Sequence, residues 1–295
     1  MENVKQMSWF VKFLLLAAFS MMMLIVVSIV IMICFGARYT SIDALLTTVA
    51  LQNLLLFMAP VVILALICYS YEKRPVAQTL WMTKAPSFKS IALVVLVYIV
   101  ALPAMNWLVD WNEGIQLPHF LNDLEKILRN LEDTAQAMTK DLMMTRTWEG
   151  MIVRFLLVGV LTGIGEEMFF RAGLLGSMHF SCVQRHVAVW TVAFIFSTIH
   201  FQFYGFFPRL LLGAWFGYVM LWTGELWTPI IAHSLNNGLV VLFTFLANNK
   251  YINENIIDTL GVPEQGQKPW LAIGSVLATA LIIWLFMRNK NNKEA

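Results

Sequence analysis

The stretch from Gly165 to Arg171, with the sequence Gly-Glu-Glu-Met-Phe-Phe-Arg, places three ionisable side chains inside an apolar run. Charge inside a membrane costs about 3 kcal/mol or more, so it marks either a function or a buried partner. If the run is helical, Glu167 and Arg171 are four residues apart and can pair across one turn. Glu166 points about 100° away from Glu167 and lacks this partner. Two interpretations are open: an ion cluster that only pins a helix, and a carboxylate kept for chemistry.

Two later apolar runs carry polar residues at helical spacing. Phe196 and His200 share one face of one predicted helix, and His233 and Asn237 share one face of another. A single His or Asn in a membrane helix is commonly an interhelical hydrogen-bonding group. A carboxylate, two imidazoles and an amide together could activate a water and stabilise an oxyanion. Glu166, His200, His233 and Asn237 are therefore the candidate catalytic residues.

The composition indicates an all-α, polytopic integral membrane protein. Hydrophobic residues make up 59% of the chain and charged residues only 13%, whereas roughly a quarter of a soluble domain is charged. The net charge of +2 comes from scattered residues and excludes a nucleic-acid footprint. The three cysteines show no CxxC spacing, so neither a disulfide framework nor a cysteine metal site is indicated.

The apolar runs predict about eight membrane spans, at 1.5 Å per residue across a hydrocarbon core of about 30 Å. The first run is too long for a signal-peptide core and is expected to be a retained span. The predicted spans are 9–35, 45–71, 91–107, 151–176, 187–201, 209–222, 226–247 and 270–287. From these bounds Glu166, His200 and His233 lie roughly 10 to 20 Å from the cytoplasmic ends of their helices, in one layer. We expect Lys12, Arg154 and Arg209 to extend towards the membrane surface.

Residues 111–147 break this pattern and predict an amphipathic helix. Apolar residues recur there at mostly helical spacing between acids and amides. Such a helix lies on the bilayer surface or over the bundle. It could act as a gate over the site or as a solvated connector packed on the bundle, and the pattern leaves both open.

Charge distribution predicts the orientation. The loop 72–89 and the C-terminal tail are basic, so both are assigned to the cytoplasm together with the N-terminus, in the plasma (inner) membrane. The acid-leaning loops 111–147 and 251–267 then lie outside. The chain divides into N-terminal membrane helices at 1–110, the amphipathic helix at 111–147, a core of about four spans at 148–248, and a final span with its tail at 249–295.

The ordered motifs Glu-Glu-x-x-x-Arg, Phe-x-x-x-His and His-x-x-x-Asn on successive late spans resemble those of the CPBP family. These are the CAAX proteases and bacteriocin-processing enzymes, also called the Abi family, which include the Ras-converting prenyl-protein endopeptidases. The resemblance covers residues 148–245. It implies an intramembrane endopeptidase in which Glu166 and His200 activate the attacking water.

The resemblance also implies roles for the remaining motif residues. His233 and Asn237 would line the oxyanion side. The residues expected to be structural or to orient the substrate are Glu167, Arg171 and Phe196.

Family members are often labelled metalloproteases, which raises the question of a metal. Glu166, His200 and His233 could supply three zinc ligands and leave a fourth position open for water. However, the sequence has no HExxH pair, and the ligands would come from three separate helices. A metal-free, glutamate-activated water accounts better for Asn237. We therefore expect no cofactor, with zinc as the alternative.

The expected reaction is hydrolysis of a peptide bond near the cytoplasmic face. The substrate would be a membrane-associated peptide or lipidated protein, with membrane lipid as a partner and no nucleic acid. A prenylated CAAX substrate is implied only by the eukaryotic branch of the family. Two other classes remain: a non-catalytic immunity or scaffold protein of the same family, and a proton-coupled transporter. The matched broken helices typical of transporters are not visible in the sequence.

Overall fold

The computed structural model describes residues 6–38, 40–178, 182–253, 259–264 and 267–294. These ranges contain helices and no strand, which confirms the all-α prediction. The long helices are α1 (Trp9–Phe35), α2 (Ile42–Glu72), α3 (Phe88–Glu113), α4 (Asn122–Met143), α5 (148–174), α6 (Cys182–Thr198), α7 (Phe206–Thr223), α8 (Trp227–Asn248) and α9 (Trp270–Glu294). Single helical turns lie at Gly36–Arg38, Val76–Thr79, His119–Leu121, Leu175–Ser177 and Phe203–Gly205.

Five of these helices are long and apolar enough to cross a membrane: α1, α2, α3, α8 and α9. They leave large apolar side chains on the outside of the bundle, as with Met32 and Ile33, which are 74% and 77% exposed. Extensive exposed apolar surface of this kind indicates contact with lipid. The remaining predicted spans correspond to α5, α6 and α7, and the last two have only 17 and 18 residues.

The first two helices are joined by a buried ion pair. Lys12 Nζ lies 3.0 Å from Glu72 Oε1, and both side chains are almost fully buried. The prediction that Lys12 extends to the membrane surface was therefore wrong, because a partner at the far end of α2 is within reach. Pro60 follows a π-helical turn at Gln52–Met58, which accommodates the missing backbone donor of the proline.

The amphipathic helix is confirmed as α4, inside the predicted range 111–147. It packs on the turn at Phe203–Gly205 and also contacts α2, α5 and α8. Arg154 in α5 is buried and donates from Nε to the carbonyl of Leu142 at 2.6 Å, near the C-terminus of α4. The expected extension of Arg154 towards the surface was wrong, because this helix end supplies a carbonyl acceptor. Parts of the predicted outer loop 251–267, namely 254–258 and 265–266, lie outside the described residues.

Helix α5 carries the candidate site and is wider than a regular α-helix in two places. π-helical turns at Phe155–Leu161 and Met168–Leu174 flank a regular turn at Thr162–Glu167. Such turns are frequent at functional sites. A Cβ on Gly163 would lie 2.9 Å from the backbone nitrogen of Ser234. Gly163 therefore allows a close helix approach, which brings α5 against α8 beside His233.

Candidate active site

The predicted ion pair between Glu167 and Arg171 is confirmed in the centre of the bundle. Arg171 Nη1 donates to Glu167 Oε1 at 2.9 Å, and both side chains have no exposed surface. Arg171 Nη2 donates to the carbonyl of Gly213 in α7 at 2.9 Å. The guanidinium also lies 5.1 Å from the ring of Phe196 and 5.3 Å from that of Phe216. A buried charge needs both a counter-charge and hydrogen bonds, and this cluster supplies them.

His233 is attached to the same carboxylate. Its Nδ1 donates to Glu167 Oε1 at 2.7 Å, and its ring stacks on Phe216 at 4.8 Å with 16° between the planes. An ionised carboxylate can only accept, so the proton of a neutral His233 lies on Nδ1 and leaves Nε2 free. The sequence pattern predicted the pairing of Glu167 with Arg171 but not this contact with His233.

Glu166 lies beside this cluster without joining it. Its Oε2 is 3.8 Å from His233 Nε2, which is longer than a hydrogen bond, and its side chain is 13% exposed. The two neighbouring acids therefore differ: Glu167 is neutralised by Arg171, whereas Glu166 faces an imidazole across a gap. This is the division between the two carboxylates that the helical period predicts.

His200 lies beyond the end of α6. Its Nδ1 donates to the carbonyl of Phe196 at 2.8 Å, which leaves Nε2 free, as in His233. The Phe196 ring lies 5.2 Å from the His200 ring and 6.0 Å from the His233 ring, so one aromatic side chain contacts both. No ion pair joins His200 to Glu166 in the described part of the chain.

The bounds of α6 differ from the predicted span. Helix α6 begins at Cys182 and ends at Thr198, whereas the predicted span was 187–201. His200 follows the end of α6, at the face that carries α4.

Asn237 lies on α8 as predicted, and both ends of its side-chain amide have a hydrogen-bond partner. Its Nδ2 is 3.4 Å from the carbonyl of Val158, and its Oδ1 accepts from Asn236 Nδ2 at 3.0 Å. The carbonyl of Val158 can only accept, so the nitrogen end of the Asn237 amide faces it. Helical spacing from His233 selects Asn237 alone, although the adjacent Asn-Asn pair was visible in the sequence.

Asn53 in α2 is a second residue that the motifs missed. It is 3% exposed, and its Nδ2 donates to Thr162 Oγ1 at 3.1 Å. Its Oδ1 is buried without a hydrogen-bond partner and packs against Gly165, where a Cβ would lie 2.5 Å away. Asn53 therefore holds the turn that carries Glu166. A lone asparagine inside an apolar span was the available signal.

A cavity of about 660 Å³ lies between α3, α7, α8 and α9. Its wall includes Phe216, Ala232 and Asn236, which adjoin His233 and Asn237. Most of the other lining side chains are apolar, among them Val94, Val97, Leu212 and Val240. The cavity therefore offers an apolar volume next to the candidate site, and no sequence motif predicted it.

The alternative zinc site would require Glu166, His200 and His233 to lie together. Glu166, His200 and His233 do not form a group of metal ligands, and no such group of three or more His, Cys, Asp or Glu residues is found among the described residues. In both imidazoles Nδ1 is hydrogen-bonded and Nε2 is free.

The part of the chain that carries the candidate site is similar to a known protein family. Residues 148–239 match the family model described as Type II CAAX prenyl endopeptidase Rce1-like. Over this segment the chain is similar to the CAAX protease family. The match confirms the resemblance predicted from the motifs, and it spans about a third of the chain. The searches of curated proteins and of solved structures gave no match.

The match has coarse functional consequences. The Rce1-like family is a family of proteases, which supports an enzyme whose substrate is a peptide or protein. The apolar helices agree with a membrane protein. The matched segment includes all of α5, α6 and α7 and ends within α8, so it contains Glu166, His200, His233 and Asn237.

Proposed function

We propose that this protein is an intramembrane endopeptidase in which Glu166 is the general base. The observation that carries the proposal is the difference between two adjacent acids. Glu167 is fully buried and paired with Arg171, whereas Glu166 is partly exposed and lies 3.8 Å from His233. An acid kept free of a cation, next to an imidazole with a free Nε2, is equipped to accept a proton from water.

The proposed reaction uses a water held by Glu166 and His200. This water transfers a proton to Glu166 as its oxygen attacks the peptide carbonyl. The oxyanion that forms is stabilised by the amide N–H of Asn237 and by His233 when its Nε2 carries a proton. Glu166 then passes its proton to the leaving amine. The chemistry needs no metal, and Glu167 serves to orient His233.

The proposed substrate is a membrane-associated peptide or protein with an apolar segment. The 660 Å³ cavity beside Phe216 and Asn236 is the volume in which this segment would lie. We further propose that α5, α6 and α7 lie within the bilayer with the five longer helices, giving eight spans. A peptide bond presented beside the cavity would then reach Glu166 inside the bundle.

We propose that the substrate enters from the face that carries α4. His200 and the turn at Phe203–Gly205 lie at this face. The basic loop 72–89 and the basic tail lie at the other end of the spans, which the positive-inside rule assigns to the cytoplasm. Entry would thus be from the side away from the cytoplasm, which replaces the expectation of cleavage near the cytoplasmic face.

The decisive test compares Glu166→Gln with Glu149→Gln, an identical change at an exposed position of the same helix. Membranes containing each full-length variant are incubated, and newly formed peptide N-termini are labelled and identified by mass spectrometry. We expect products from the wild type and Glu149→Gln, and a fall of about 10² to 10⁴-fold with Glu166→Gln. Equal products from all three would exclude catalysis by Glu166 and favour a scaffold or transporter.

The proposed orientation has its own test. A single cysteine replaces Lys126, whose side chain is 74% exposed on α4, in a chain whose native cysteines are changed to alanine. We expect a membrane-impermeant maleimide to label this cysteine in intact cells. A matched cysteine at Lys73, in the basic loop, should react only after the cells are opened. The reverse pattern would refute the orientation.

A further inference from the structure

The chain that follows His200 is held from two sides. Residues 199–205, here called the His200 segment, connect α6 to α7. Asn112 of α3 donates from Nδ2 to the carbonyl of Phe203 at 3.2 Å, and its Oδ1 accepts from the backbone N–H of Phe207 at 3.0 Å. Asn112 itself has no exposed surface. The His200 segment is thus fixed to the end of α3, and α4 supplies the opposite side.

Helix α4 packs against Tyr204 of this segment. The Tyr204 side chain is 1% exposed, with the guanidinium of Arg129 3.4 Å from its ring centroid. Its hydroxyl donates to Glu125 Oε1 at 3.4 Å. Burial raises the pKa of the Tyr204 phenol, so it remains a neutral donor at physiological pH. The two α4 side chains thus contact the ring face and the hydroxyl of one buried aromatic residue.

Glu132 makes the contact nearest to His200. Its side chain is 6% exposed, and its Oε1 accepts from Gln202 Nε2 at 3.0 Å. Arg209 Nη2 donates to Gln202 Oε1 at 2.8 Å, and Arg209 Nη1 donates to the Gln202 carbonyl at 3.3 Å. Gln202 therefore bridges an acid on α4 and a base on α7, two residues after His200. Hydrogen bonds to charged groups at both ends make this bridge strong. Arg209, which was expected to extend towards the membrane surface, instead has a specific partner in Gln202.

The backbone between His200 and Gln202 needs such support. Phe201 has a φ of +53°, in the left-handed region that a bulky side chain rarely adopts. Its own side chain is 75% exposed and contributes little packing. Residues in this region persist only where their surroundings fix them, and such residues cluster at functional sites. The bonds of Gln202 supply this fixation, so the turn that orients His200 depends on them.

We propose that Glu132 is a positioning residue of the candidate active site, acting on His200 through Gln202 and Arg209. The effect of Glu132 on catalysis rests on the proposed function, whereas its effect on the orientation of His200 does not. Helix α4 lies outside the matched residues 148–239, so no motif of the match contains Glu132. Loss of Glu132 releases Gln202, the turn relaxes, and the imidazole loses its orientation. Catalysis then slows at saturating substrate, with kcat reduced and KM retained.

The orientation of His200 can be measured without any substrate. The full-length protein in detergent micelles is treated with diethylpyrocarbonate, and the modification rate of His200 is followed by peptide mass spectrometry. The exposed His186 serves as the internal reference. With Glu132→Ala we expect the rate at His200 to rise by about threefold to tenfold, because one fixing hydrogen bond is lost. Lys126→Ala, on the exposed side of α4, should leave the rate unchanged.

Two further variants sharpen the test. Glu132→Gln keeps the shape of the side chain and removes its charge, so it decides the outcome if Glu132→Ala fails to fold. Exchange of both groups, Glu132→Gln with Gln202→Glu, places the acid directly beside Arg209. This double variant should return the His200 rate to within about twofold of the wild type, because the two changes are coupled.

The outcomes separate this inference from the proposed protease function. Rates at His200 that match Lys126→Ala in folded Glu132→Ala and Glu132→Gln would overturn the positioning role, whatever the activity. A raised rate that is rescued by the exchange supports it. If the wild type then releases no peptides, the protease function fails and the positioning role stands.

Discussion

Two buried ion pairs in this protein have almost the same geometry. Lys12 and Glu72 join α1 to α2 at 3.0 Å, with side chains 2% and 4% exposed. Arg171 and Glu167 pair within α5 at 2.9 Å, with no exposed surface. Both pairs place opposite charges in apolar surroundings, where each charge alone would be costly. Distance and burial do not distinguish the two pairs.

Their neighbours do distinguish them. Glu72 also accepts from the backbone N–H of Met7, a contact that holds the start of α1. Glu167 instead binds His233, and the next residue along the chain is a second acid, Glu166. An ion pair whose carboxylate also accepts from a backbone N–H holds two helices together. A pair that orients an imidazole beside a free carboxylate can support chemistry.

Removal of the cation from the pair of Glu167 and Arg171, the central pair, should have the largest effect on stability and cleavage. Arg171→Met leaves the carboxylate of Glu167 buried with only His233 as a partner. We expect the free energy of unfolding to fall by about 3 to 5 kcal/mol and cleavage to be lost. Thermal unfolding in detergent, followed with the N-terminus labelling assay, measures both. An unchanged melting temperature would mean that Glu167 does not carry a charge in the folded protein.

A displacement of the central pair without loss of charge should have an intermediate effect. Gly163→Val places side-chain atoms against the backbone of Ser234 and forces α5 away from α8. We expect a cost of about 1 to 3 kcal/mol and reduced cleavage in the folded fraction. Gly274→Val in α9 is the matched control, since a Cβ there meets no atom within 4 Å. Equal behaviour of the two variants would refute a need for close helix contact at Gly163.

Loss of the pair between Lys12 and Glu72 should have the smallest effect on cleavage, because this pair is expected to act on stability alone. Lys12→Met leaves the Glu72 carboxylate buried with one backbone donor, at a cost of about 3 to 5 kcal/mol in the free energy of unfolding. The double variant Lys12→Met with Glu72→Leu should recover most of this loss, because two apolar side chains replace the pair. Cleavage per folded molecule should equal that of the wild type in both variants. A fall in specific cleavage would show that the two ion pairs are coupled.

Local patterns in the sequence predicted the features that depend on one helix. The bounds of α1 agree with the predicted span 9–35, and the i,i+4 pairing of Glu167 with Arg171 is observed. Both follow from helical spacing and from the length of an apolar run. The resemblance to the CAAX protease family rests on the same spacings, repeated on three helices in a fixed order.

Features that join distant parts of the chain were not predictable in this way. Lys12, Arg154 and Arg209 were expected near the membrane surface, and each has a specific partner that spacing cannot reveal. Asn53 and Asn236 were missed because their importance arises from packing against Gly165 and Asn237. Helix α6 begins earlier than predicted because its start lies in a polar stretch that hydropathy excludes from a span.

The short length of α6 and α7 has a consequence for the surrounding lipid. At 1.5 Å per residue their 17 and 18 residues span about 26 Å, against about 40 Å for the 27 residues of α1. Val187 and Phe194 on α6 are exposed, so in the proposed eight-span arrangement this edge of the bundle would face acyl chains. Hydrophobic mismatch there would compress the bilayer locally. A peptide bond that lies deep in an unperturbed leaflet would then reach the water interface at this thinned edge.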